Sequence, residues 1–265
     1  MPAALHPTAV IAKGAELGEE VQVGPYCVIG PWVRIGDRTR LHAHVVLDGA
    51  FTLGADCEVY PFAALGHPSQ DLKFRGGCPR AEVGDRTVIR EYVTIHPSTT
   101  EEGLTRVGAD CFLMAYAHIA HDCTVGDRSI IANCGTLAGH VVIEEEVVLG
   151  GLSAVHQFVR IGTRAMVGGC SKVTQDVPPY LLADGHPAVV RGINRVGLVR
   201  RGMSEEARRV IKDVYQRVYR RGLSLARAME IVAAEVPTTP ERDRLLAFFR
   251  ASTRGICRGT ARRGI

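Results

Sequence analysis

From Leu5 to Val173, almost every sixth residue of this chain is aliphatic. Of the 29 positions in that series, 26 are Ile, Leu or Val. The three exceptions, Asp71, Gly77 and Glu101, lie in stretches rich in Gly, Pro or charge, which read as loops protruding from a regular scaffold. A period of six fits neither a helix, with 3.6 residues per turn, nor a simply alternating strand. It is an internal repeat, and a repeat sustained this long dictates architecture before any local propensity does. Glycine often follows the aliphatic residue, as at Gly18, Gly24, Gly30, Gly36, Gly84 and Gly126. Two residues before it stand small or β-branched side chains, suited to a cramped interior corner between short strands. Four of the eight cysteines (Cys27, Cys57, Cys111 and Cys123) occupy that slot and read as small core hydrophobes. The other four show no CxxC spacing, so no structural zinc site is expected.

A hexapeptide written [LIV]-G-x-x-x-x resembles the bacterial transferase repeat. The resemblance implies a left-handed parallel β-helix in which three hexapeptides make one triangular coil. That hand opposes the usual right-handed crossover, and it comes from the resemblance, since periodicity carries no information about hand. The expected fold is this β-helix over residues 1–188, followed by a small α-helical domain over 189–265.

Charge supports a division near residue 190. From Arg191 onward there are 18 Lys or Arg and 7 Asp or Glu, a balance of +11, whereas residues 1–190 carry −7. A basic tail suits an acidic partner. Within it, Ser204 to Arg221 has helical apolar spacing with Ser204 as N-cap and acidic residues in the first turn. Ser224 opens a second helix and Thr239-Pro240 a third, with proline at the first helical position. Near Met1 there is no basic region followed by an apolar run, and no segment has the roughly 20 apolar residues that span a bilayer. A cytoplasmic protein is expected, with neither a membrane span nor nucleic acid as a partner.

Stacking coils 18 residues apart transforms the stretch "AHIAHDCTVGD" at 117–127. Gly139 falls over His121 and His140 over Asp122, about 4.8 Å away. His118, His121, Asp122, Gly139, His140, His156 and Gln157 then gather along one edge. A single histidine on a turn is ordinarily solvated; several along one edge with an aspartate point to a site. The chemistry that fits is general-base catalysis. A histidine removes a proton from a hydroxyl, Asp122 holds its tautomer, and a glycine N–H on the next coil meets a developing oxyanion. Neither a cysteine nor a serine there has the setting of an activated nucleophile, so direct transfer is favoured over a covalent intermediate. Three histidines can also bind zinc, as in gamma-class carbonic anhydrases, but a wider pair than His118 and His121 is expected there. Metal and cofactor are not expected.

"AHIAHDCTVGD", "LAGH" at 137–140, "GGLSAVHQF" at 150–158, "VGGCS" at 167–171, "QDVPPY" at 175–180 and "STRG" at 252–255 resemble the UDP-N-acetylglucosamine 3-O-acyltransferase family. "SQDLKFRG" at 69–76 extends the resemblance over nearly the whole chain. It implies His121 as general base, Asp122 as its partner and Gly139 as the oxyanion glycine. It implies that Asp71, Lys73, His118 and His140 line the sugar and acyl pockets, and that His156, Gln157, Asn194 and Arg200 contact the nucleotide. Gly169 would sit where the acyl groove ends, unless it merely permits a tight corner with positive φ. The implied assembly is a homotrimer with sites between subunits. The implied acyl donor is a 3-hydroxyacyl group on acyl carrier protein, and the implied reaction begins lipid A synthesis. Two positions depart from the pattern: Val196 stands where an acidic residue is expected and Pro187 where a histidine is. Acylation of a 3-amino UDP-sugar, another hexapeptide N-acyltransferase of the pathway and a non-catalytic trimeric scaffold are the competing readings.

Overall fold

The hexads become two-residue strands joined by two-residue corners. In the computed structural model, which describes residues 2–259, strands 18 residues apart pair in parallel: Ala4 with Gln22, Val28 with Val46, His118 with Thr136. The result is a left-handed β-helix whose three flat faces are sheets of eleven, nine and eight strands among the described residues. One residue of each strand points inward. Leu47, Leu65, Ile95, Ile119 and Leu137 are all fully buried, and burying each such side chain contributes roughly 1.5–3 kcal/mol. The slot two residues earlier is interior too. Cys27, Cys57, Cys111 and Cys123 are buried, and burial pushes the thiols of Cys57 and Cys111 up to about 11 and that of Cys123 to about 12.

Two insertions leave the prism without disturbing its phase. Across the first, residues 66–79, the paired separation rises to 30 (Ala64 with Thr94); across the second, residues 96–103, it is 24 (Thr94 with His118). Both excesses over 18 are multiples of six, which is why the aliphatic series resumes in step. Both insertions leave the same corner of the triangle, the one that higher up carries His121-Asp122 and Gly139-His140.

The second residue of nearly every corner is left-handed, and most of these residues are not glycine. Conformations of this kind cost about 1 kcal/mol or more for an L-residue, offset here by contacts between stacked coils. One corner stacks Tyr26, His44, Phe62, Tyr92 and Tyr116 with centroids 4.8–5.0 Å apart. Another alternates Arg38 with Asp56 and Arg86 with Asp110, each pair at 2.7 Å.

A hairpin, Leu181–Gly185 and Ala188–Ile193, ends the eleven-stranded sheet. Four helices follow among the described residues: α1 (Arg195–Arg200), α2 (Glu205–Arg220), α3 (Leu225–Glu235) and α4 (Pro240–Ala251). The expected caps Ser204, Ser224 and Thr239 each accept an N–H from the first turn. Helix α1 has too few residues to show a helical period; its only sequence signal is the cap, Asn194. Residue 188 begins the second hairpin strand, so the change to helix falls a few residues later, at Asn194. Asp176, almost fully buried, then accepts from Arg160 N (2.8 Å) and Ser252 Oγ (2.7 Å) and ties the tail back to the prism.

Candidate active site

His121 is the first residue of its corner and Asp122, with φ of 60°, the second. The imidazole donates from Nδ1 to Asp122 Oδ2 at 2.8 Å, leaving Nε2 free as a base. Both side chains are about 85% buried, with 15% and 13% of their surface exposed. Burial alone would raise Asp122's pKa. Hydrogen bonds from Ser98, His121 and Thr99 outweigh it and hold the carboxyl below its usual range. Gly139 packs directly over the imidazole. A Cβ there would lie 2.5 Å from His121 Nε2 and closer still to Cε1, so only glycine admits the ring. Among the described residues nothing accepts the Gly139 N–H.

A cleft of about 580 Å³ opens in front of this pair. The structure brings Asp71, Lys73, His118, His121, His140 and Gln157 to its wall. Asp71 Oδ2 stands 4.0 Å from His121 Nε2, and Asp71 Oδ1 shapes its own loop by accepting from Lys73 N at 2.9 Å. His140 stacks on Phe158 at 4.6 Å, lies edge-on to His121 at 5.2 Å and reaches within 3.7 Å of Asp122. His118 shares a 2.7 Å hydrogen bond with Thr94, and burial, then the neighbouring His121, lowers its pKa.

Other expected residues lie elsewhere in the single chain. His156 is exposed and turns outward, its Nδ1 accepting from Arg254 Nη2 at 3.2 Å. Asn194 is buried and spends its amide on structure: Nδ2 donates to Arg164 O (2.9 Å) and Oδ1 accepts from Gly197 N (3.2 Å). Arg200 is exposed at the end of α1. Gly169 stacks over Gly151, whose carbonyl oxygen would be 3.2 Å from an added Cβ. It is not left-handed; the next residue, Cys170, is, with φ of 57°. The tight-corner explanation for Gly169 therefore fails.

Several site residues were not legible. His96, buried between the loops, meets His118 edge-on at 5.1 Å, and burial lowers its pKa to about 4. Ser98 and Thr99 reach Asp122 from the second insertion, Thr105 Oγ1 accepts its N–H at 2.7 Å, and Leu72 stands 94% exposed at the cleft mouth. Loop insertions break the 18-residue arithmetic, so only the fact that both insertions share this corner could have pointed to them.

His121, Asp122 and His140 also offer ligand atoms within 4.8 Å of one another. Yet the Asp122 oxygen nearest the two histidines already accepts from His121 and Thr99. A metal would have to break that arrangement.

A prism of hexapeptide coils carrying a buried His–Asp pair beneath a glycine defines a hexapeptide-repeat acyltransferase. Comparison with known proteins makes this specific. The family model for UDP-N-acetylglucosamine O-acyltransferase domain 2 matches residues 176–257, and that for the bacterial transferase hexapeptide matches 14–49 and 104–139. The chain is 41% identical to LpxA from Acinetobacter baumannii, with a TM-score of 0.93, over 96% of this chain and 99% of that one. It is 38% identical to the UDP-N-acetylglucosamine acyltransferase of Bacteroides fragilis, with a TM-score of 0.94, over 96% and 100%. It is also 38% identical to the UDP-N-acetylglucosamine O-acyltransferase of Moraxella catarrhalis, with a TM-score of 0.91, over 96% and 99%. The chain belongs to the UDP-N-acetylglucosamine acyltransferase family, and it is an enzyme.

Proposed function

We propose that this chain transfers a 3-hydroxyacyl group from acyl carrier protein to the 3-hydroxyl of UDP-N-acetylglucosamine, the step that opens lipid A synthesis. The observation that carries the reading is the His121–Asp122 pair, oriented at Nδ1, free at Nε2 and overlaid by Gly139. His121 Nε2 takes the proton of the sugar hydroxyl as its oxygen attacks the thioester carbonyl. The Gly139 N–H meets the tetrahedral oxyanion, a contribution worth about 3 kcal/mol where one such donor has been removed elsewhere. Collapse expels the carrier thiolate, which recovers the proton from His121. No acyl-enzyme forms, in keeping with the raised thiol of Cys123, the cysteine next to the pair.

Asp71, Lys73, His118 and His140 hold the sugar and the start of the acyl chain, and Gly169 leaves room for its far end. His156, Gln157 and Arg200 meet the nucleotide, with Asn194 acting through the cap it gives α1. Because His156, Asn194 and Arg200 stand outside the cleft of one chain, the reading has a neighbouring chain supply them, in the homotrimer that the family resemblance implies. The basic helical segment receives the acidic carrier.

The test is turnover of purified enzyme with UDP-N-acetylglucosamine and a panel of acyl carrier protein thioesters, run beside the 3-amino analogue. Ester formation supports the reading, and exclusive amide formation assigns the enzyme to the amino sugar. Dialysis against a strong chelator leaves the rate unchanged if His121 is a base rather than a ligand.

A further inference from the structure

We propose that Ser98 and Thr99, on the shorter of the two insertions, are positioning residues that lock the Asp122 carboxylate for its work on His121. The inference rests on the reading of His121 as the base. Ser98 Oγ donates to Asp122 Oδ1. Thr99 donates to Oδ2 twice, from Oγ1 at 2.8 Å and from its backbone N–H at 3.3 Å. Oδ2 also takes the His121 Nδ1–H. Among the described residues, Ser98 alone holds Oδ1. The carboxylate is thus pinned at both ends and cannot rotate about Cβ–Cγ.

The placement of Ser98 is built in. Its side chain is fully buried, its Oγ also accepts from Thr100 N at 3.1 Å, and its N–H donates to Arg80 O at 3.3 Å. Gly103 closes the loop over it, where any side chain would drive into Ser98 Oγ and Thr100 Oγ1. A hydroxyl buried this deeply against a carboxylate has no solvent to fall back on.

Two consequences follow for the pair. Without the Ser98 donor, Oδ1 becomes a buried anionic oxygen lacking a partner, and Asp122 grows more basic. The carboxylate can then rotate toward His140 Nε2, 3.7 Å away, and away from the geometry that orients His121. The charged or titratable groups facing it are His121 on its own corner, His140 on the coil above, and Asp71 across the cleft beyond His121. From below come the hydroxyls of Ser98 and Thr99, while Thr105 Oγ1 takes the Asp122 backbone N–H.

The experiment compares full pH profiles of wild type, Ser98→Ala, Ser98→Cys and Thr99→Val, each checked for folding by thermal melt, with His121→Ala alongside. Ser98→Ala is expected to lose about tenfold in kcat, the scale of one charge-assisted hydrogen bond, with the sugar KM within about twofold. The acid limb of its kcat/KM profile moves, to higher pH where the more basic carboxylate stays on His121 and to lower pH where it turns to His140. Ser98→Cys, a weaker donor of similar shape, falls between the two and decides the matter if Ser98→Ala does not fold. Thr99→Val, which keeps the backbone donor, shows a smaller loss. An unmoved acid limb with wild-type kcat, or a loss confined to KM, overturns the proposal. If His121→Ala is itself fully active, the base assignment fails; if it is dead while both Ser98 variants match wild type, only the positioning role fails.

Discussion

At the scale of single residues, His121 is separable from the fold. Its ring lies at a corner outside the aliphatic core, so His121→Ala is expected to keep the melting temperature within a few degrees while losing about 10²–10⁴ in turnover; steady-state kinetics on a protein shown to be folded checks both. Gly139 is the converse case. A methyl there collides with the imidazole rather than with the backbone, so Gly139→Ala is expected to displace the base, losing at least tenfold in kcat, about 1.4 kcal/mol of barrier, with little loss of stability. Retained kcat would show that the ring finds another productive position. Asp122 adds a pH term. Its folded pKa is depressed, so the stability it contributes is present above the ordinary carboxylate range and is lost as pH falls through the lowered value.

At the scale of elements, one ion-pair cluster fastens the first helix to the prism. Glu146, on a corner near the top, accepts from Arg201 at 2.7 Å and from Arg164 at 3.1 Å, and Arg128 approaches to 3.4 Å. Burial would raise its pKa, but the hydrogen bonds from Arg164 and Arg201 prevail and hold it at about 2. Arg201 is the C-cap of α1, so the cluster places the helix that bears Arg200. Glu146→Gln is expected to cost on the order of 2 kcal/mol, since it weakens several hydrogen bonds to charged partners. The sign is that of a depressed acid: wild-type stability from this group is complete above about pH 4.5 and is lost as pH falls toward about 2. Denaturant melts of both proteins should therefore differ most at neutral pH, with the gap narrowing below about pH 4.5 and closing only near pH 2. A constant gap across that range would show that Glu146 acts by shape rather than charge.

At the scale of the whole molecule, the charge division has a location. Arg195, Arg208, Arg209 and Lys212 line a hollow of about 530 Å³ beside α2, with Tyr215 at its wall. If the acidic carrier docks there, reversing Arg208 and Arg209 to Glu raises the donor KM, and added salt raises the wild-type KM, because exposed attraction is screened beyond about 8–10 Å. Arg209 is exposed and Arg208 half-buried, and neither lies in the core, so the fold should survive the change. A KM insensitive to both treatments would leave the basic face as solvated surface. Helix α2 packs against α3, α4 and the second hairpin strand, so the surface is held rigidly to the prism end.

The hexad phase determined a stacked repeat with one inward side chain per short strand, and the resemblance of the hexad to the bacterial transferase repeat supplied the three-sided, left-handed coil. With three hexads to a coil taken from that resemblance, the register placed His140 over Asp122 and Gly139 over His121 by arithmetic. The caps Ser204, Ser224 and Thr239 were legible because capping is local hydrogen bonding between residues three apart. What only the tertiary structure decided lies where the period breaks. The insertions carrying Asp71, His96, Ser98 and Thr99 follow no register, so their approach to His121 depends on packing alone. His156 obeys the register yet turns to Arg254, 98 residues away, because coil stacking sets where a Cα lies and not which partner its side chain finds.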